Sequence, residues 1–326
     1  MTSRTHQLED EAKVSRQIRI VTTLPSATEI VALLGLEQNL VGVTHECDYP
    51  PSITKKPVVM RSVFDTTKMN NREIDESVLS TLTKGNSLYE IDEQLLKSLK
   101  PDLIITQELC EVCATPLSDV SRAIGCLEPK PSVLSLTPHT IADVLEDIIR
   151  VGRATGEVEK AERAVSELQK RIGEVRKRCE GFDKLRVVCL EWMDPLYCSG
   201  HWMPELVDYA GGKEVLGKHG EPSTIVLWED VVRADPDAIF FTVCGYNVER
   251  TLQEIEALTK CQGWGNLKAV REGRVYVLDG GSYYSRSGPR LVDGLEIMAY
   301  LLHPETFSDY RMPRGAAYSL SIGIYC

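Results

Sequence analysis

The chain has 326 residues, of which 43% are hydrophobic and 26% charged, and its net charge is −11. That length leaves room for two lobes with cores of their own, the balance excludes a disordered chain, and the acidity disfavours a nucleic-acid partner. No stretch reaches the roughly 18 apolar residues that span a bilayer. The polar start, MTSRTHQLEDEAKVSRQ, has no apolar leader, which places the protein in the cytoplasm; a periplasmic location would need a leader upstream. In the cytoplasm the ten cysteines read first as thiols.

Residues 1–17 read as a flexible tail. Ile18–Leu24 is short and β-branched, a buried strand that Pro25 stops. Ser26-Ala-Thr-Glu29 has the capping-box pattern and opens a helix over Ala27–Leu34. A second strand, Leu40–Val43, runs into THECDYPP, and the prolines that follow mark an irregular connection. Helical patterns between 70 and 100 are weak, with the best at Ile91–Leu99. Asp102–Thr106 is a third strand, Ser118–Ile124 a helix, and Ser132–Leu136 a fourth strand. Thr140-Ile-Ala-Asp143 caps a helix that runs to about Arg153.

Glu157–Arg178 has apolar residues at Val158, Ala161, Val165, Leu168, Ile172 and Val175, spaced alternately three and four apart. That draws one apolar stripe along a charged rod of roughly 33 Å. Beyond it the alternation restarts. Strands are expected at Arg186–Leu190, Ala238–Thr242 and Val275–Leu278, and helices from Pro204 to Ala210, Glu249 to Leu258 and Pro289 to Leu302. The fold class is therefore α/β, with two Rossmann-like lobes of mostly parallel sheet (18–153 and 182–326) joined by one long backbone helix (157–180).

Ligands of parallel α/β sheets bind at the carboxyl ends of strands. The loops found there hold Pro25, Ser26, His45, Glu46, Cys47, Cys110, Cys113, Trp192, Cys198, His201, Trp202, Cys244, Tyr246, Tyr283, Tyr284 and Arg286. Aromatic walls with a few polar groups suit a planar, partly apolar ligand held between the lobes. Cys110-Glu-Val-Cys113 is half of a metal site, a redox pair or a pair of inert thiols; as a metal set it joins His45 and Cys47 around zinc or another thiolate-bound ion. No nucleophile elbow, P-loop or dinucleotide fingerprint is present, so no residue is assigned to catalysis.

The order TLPSATEIVALLGL, VGVTHECDYP, KPDLIITQ, charged rod, DPDAIFFT and GRVYVLDG resembles the class III periplasmic-binding-protein family, over roughly residues 18–303. HECDYP and TLPSATEI look most like its cobalamin-binding subgroup. The resemblance implies a metal chelate such as cobalamin or another corrinoid clasped between the lobes. It also implies an ABC permease as partner; the neutral imidazole of His45 suits an axial position on cobalt, and Arg286 suits a ligand amide or carboxylate. In such receptors exposed acids dock the permease, and Glu29 holds that kind of position, unless it is only the capping carboxylate. Without an export signal, the expectation is an intracellular carrier that does not insert into membranes. The alternative is a corrinoid-processing enzyme or metallochaperone working through Cys47, Cys110, Cys113, Cys198 and Cys244.

Overall fold

A computed structural model describes residues 17–107, 122–125 and 127–326. Strands β1 (Ile20–Thr22), β2 (Leu40–Thr44), β3 (Val58–Ser62), β4 (Tyr89–Ile91), β5 (Leu103–Gln107) and β6 (Ser132–Leu136) form one sheet in the order β4-β3-β2-β1-β5-β6. All its pairings are parallel except β3 with β4. A second sheet joins β7 (Leu185–Met193), β8 (Leu196–Cys198), β9 (Gly212–Glu214), β10 (Thr224–Ile225), β11 (Ala238–Phe241), β12 (Val275–Leu278), β13 (Ala317–Ser319) and β14 (Ile324–Tyr325). Its order is β10-β8-β7-β11-β12-β13-β14, with β9 beside β7. The centre β7-β11-β12 is parallel, while β8, β10, β13 and β14 add antiparallel edges. These edge strands are too short for an alternating pattern to announce them.

The helices that matter here are α1 (Pro25–Leu33), α2 (Asn71–Thr83), α3 (Glu93–Leu99), α4 (Ile141–Thr155), α5 (Val158–Arg178), α6 (Met203–Tyr209), α7 (Trp228–Ala234), α8 (Val248–Glu254) and α9 (Leu291–Leu302). The long rod is α5. It buries Ala161, Leu168, Ile172 and Val175 of the expected stripe, while Val158 at its start stays 36% exposed. Arg171 donates to Glu296 and Asp293 of α9, which ties the rod to the second lobe. On the other side α4 turns into α5 through Gly156, and Gly152 lets the two helices touch: a Cβ there would lie 2.4 Å from that of Ala161. One continuous apolar core follows, running from α1 and β1 through α4 and α5 to β7, α6 and α9. Burial of that length of apolar surface couples the lobes along the rod.

The capping box expected at Thr140 and Asp143 is present on α4. The one expected at Ser26 and Glu29 is not. Leu24 is the N-cap of α1, Pro25 fills the first turn without needing a donor, and Glu29 lies inside the helix. The helix expected over Ser118–Ile124 and the tail over 1–17 fall largely outside the described residues.

Candidate functional site

The carboxyl ends of the parallel strands of both sheets face each other, and the lobes meet there in three places. The most buried is a charge cluster. Arg286, beyond β12, donates to Glu29 of α1 at 3.1 Å, to Asp48 at 2.5 and 3.1 Å, and to the carbonyl of Glu46 at 3.1 Å. Arg290 approaches Glu29 at 3.6 Å and lies between two rings, 4.3 Å from that of Tyr49 and 4.6 Å from that of Tyr283. The Glu29 side chain is 1% exposed and that of Arg286 13%. Burial pushes the Glu29 carboxyl up, against the pull of Arg286 and Arg290. Its Oε2 is buried without a hydrogen bond. Beside it the Ser26 and Ser287 hydroxyls are 3.4 Å apart.

The second meeting place is an edge. Asn71 at the start of α2 donates its N–H to Glu254 of α8 at 2.7 Å and accepts from the N–H of Met193 at 2.8 Å. Arg72 forms a two-pronged pair with Asp194 at 2.8 and 3.2 Å, the side chains being 66% and 47% exposed. Behind them Trp192 and Tyr246 stand with ring centroids 5.8 Å apart, and Arg250 covers the Tyr246 ring at 5.1 Å.

The third is beside α4. The N–H of Ile141 donates to Glu205 at 2.8 Å, His219 faces the same carboxylate at 3.4 Å, and the rings of His139 and His201 are 5.7 Å apart. His201 sits at φ 51°, and burial with His139 nearby holds its pKa down.

The structure distributes the expected site residues unevenly. Pro25 opens α1, half-buried, and Ser26 is buried against Ser287. His45 and Glu46 are exposed at the end of β2. Cys244, Tyr283 and Trp192 are half-buried at strand ends of the second lobe. Cys47, Cys198, Trp202 and Tyr284 belong to the packed interior instead. Cys47 is 6% exposed, with its sulfur 3.0 Å from the Thr28 hydroxyl. Burial pushes the Cys47 thiol up to about 11 and raises that of Cys198, the reverse of what an activated thiolate needs. The Trp202 indole donates to the Tyr284 carbonyl and the Tyr284 hydroxyl to that of Gly294, so both rings serve the core. Gly280 belongs to this packing too, since a Cβ there would lie 2.1 Å from the Val243 carbonyl oxygen.

Two readings change. Arg286 is turned to the first lobe, which takes up both its Nη1 and its Nη2. Glu29 is neither an exposed docking acid nor a capping carboxylate, because the second lobe covers it. Cys110 and Cys113 lie outside the described residues. Among the described residues no group of three or more His, Cys, Asp or Glu is placed to hold a metal ion, and no helix is long and apolar enough to cross a membrane. Sequence reasoning missed Asn71, Arg72, Asp194, Glu254 and Arg290 as contacts between lobes. The one signal for them was Asn70 three residues before Glu73, which does form a capping box.

Residues 20–280 match the model of a family described as periplasmic binding protein. An uncharacterized ABC transporter substrate-binding lipoprotein, YvrC, of Bacillus subtilis is 27% identical over 300 residues, covering 89% of this chain and 82% of that one. The vitamin B12-binding protein of Pectobacterium carotovorum is 23% identical, covering 84% of each chain. Among solved structures, the periplasmic heme-binding protein RhuT from Roseiflexus superposes with a TM-score of 0.65 at 20% identity, covering 89% and 99%; at that identity it speaks to the fold alone. These findings overturn the cytoplasmic location expected above. The matched family is periplasmic, and the relatives include a lipoprotein. The polar start of the sequence carries no weight against them.

Proposed function

The chain belongs to the periplasmic binding protein family, and on that premise we propose that it is an extracytoplasmic receptor that holds cobalamin or a related corrinoid between its lobes and hands it to an ABC permease. Relatives of this fold include both a vitamin B12 binder and a heme binder, so the ligand must be argued from charge. Heme presents two propionates, which want cations; the side chains of cobalamin's corrin ring are neutral amides.

The observation that carries the reading is that the arginines at the lobe junction are already neutralised. Arg72 faces Asp194, Arg250 faces Glu254, Arg286 faces Glu29 and Asp48, and Arg290 faces Glu29. A cleft compensated in this way offers little to a dianion, because moving carboxylates into it without new partners is unfavourable. Trp192 and Tyr283, both half-buried, give such a ligand apolar faces to lie against. The buried, high-pKa thiols Cys47 and Cys198 lend nothing to a thiolate-based enzyme or metallochaperone.

Titration of the purified protein with cyanocobalamin, followed by corrin absorbance and by retention on gel filtration, tests the reading. Stoichiometric retention supports it; free passage of the corrinoid at micromolar protein rejects it.

A further inference from the structure

Residues 63–88 leave the first sheet at the end of β3 and return to it at β4. The N–H of Val63 donates to the carbonyl of Leu88 at 3.0 Å, closing a neck at the sheet edge. What lies beyond the neck packs on the other lobe. Ile74, one of only two buried residues of α2, sits in the same apolar cluster as Met193, Leu196 and Tyr246, and Met69 and Val78 pack against that cluster. An open groove lined by Phe64, Lys68, Met69, Ser77 and Ser80 among others runs over the segment's own surface. Gly85, at φ 71°, has open space around it just before the neck.

Beside the apolar contact, the polar grip on the second lobe is small. It consists of a solvent-exposed ion pair, Arg72–Asp194, two hydrogen bonds through Asn71, and one from Arg250 to the Met69 carbonyl. Docking also leaves donors short of acceptors. Nε1 of Trp192 is buried without a partner, and Nδ2 of Asn71 has only the Tyr246 hydroxyl beside it. Buried unsatisfied donors favour the hydrated form. The docked position is therefore held by apolar contact and a few polar bonds and opposed by unsatisfied donors, which is the balance of a two-state element.

We infer that residues 63–88 are a lid that pivots on the Val63–Leu88 neck and gates the cleft at the Trp192–Tyr246 wall. This rests on the reading of the cleft as a corrinoid site, and two measurements separate the two ideas. Stopped-flow mixing with cyanocobalamin compares the unaltered protein with Asp194→Ala. Loss of an exposed ion pair raises the open population, and association is expected to become about threefold faster. An unchanged association rate overturns the lid.

The second readout needs no ligand. Ile74→Cys places a thiol on the docking face, and its reaction with a thiol reagent in the ligand-free protein is read above the background of the natural cysteines. A lid gives labelling much faster than global unfolding, accelerated about threefold when Asp194→Ala is added. Labelling only at the rate of global unfolding overturns the lid. If cobalamin never binds, the ligand reading falls while the labelling rate still decides the lid.

Discussion

Glu29–Arg286 and Arg72–Asp194 both join the lobes with a carboxylate and an arginine, yet they are opposite devices. The first is buried, at 1% and 13% exposure, and branches to Asp48, Arg290 and two tyrosine rings. The second is open to water, at 66% and 47%. In a low-dielectric seam, removal of one partner strands the other without solvent, whereas an exposed pair is replaced by water at almost no loss. The seam fixes the register of the lobes, and the edge contact is free to come and go. Since α5 also resists bending, only modest closure of the lobes themselves is expected, with motion concentrated in the lid.

The comparison is broken most easily from the seam. Arg286→Ala leaves Glu29 buried beside Arg290 alone, and chemical denaturation is expected to show a loss of about 3–5 kcal/mol. A loss below about 1 kcal/mol would make the seam no different from the edge. Trp192→Ala removes part of the wall under the lid, and the affinity for cyanocobalamin measured by titration is expected to fall about tenfold or more.

A pH series on Glu29→Gln sharpens the account of the seam. Burial raises the folded-state pKa of Glu29 above its ordinary value of 4.5. The native state therefore holds this proton more tightly than the unfolded chain, and the resulting stability is complete below 4.5 and lost as pH rises through the raised value. Relative to Glu29→Gln, the unaltered protein is expected to lose stability as pH climbs out of that window; a gap independent of pH would contradict the burial argument. The smallest effect belongs to Arg72→Ala, expected to change unfolding free energy by about 0–1 kcal/mol.

The same contrast explains what could be read in the amino-acid order. The rod α5, strands β6 and β12 and the cap of α4 are decided by neighbours three or four residues away, or by short β-branched runs, and all were legible. Helix α2 was not, because its apolar face amounts to little more than Ile74 and Val78 and becomes intelligible only against Met193 and Tyr246 of the other lobe. Glu29 illustrates a local pattern overruled by a distant partner. Ser-x-x-Glu fits a capping box, yet Arg286, 257 residues away, claims the carboxylate. Among the described residues the expected segments do follow the strands, but which side chain points into the gap and which into the core depends on packing. Cys47 and Trp202, a few residues from exposed His45 and half-buried His201, turn inward.

The junction has neutralised its own cations, and the ligand proposed for it is accordingly one without carboxylates. Competition on one sample tests it most directly: protein mixed with equimolar cyanocobalamin and hemin, passed over gel filtration, and the bound fraction read by its absorbance. The corrinoid is expected to travel with the protein and the hemin to be left behind. Hemin retained in preference to cobalamin would contradict it.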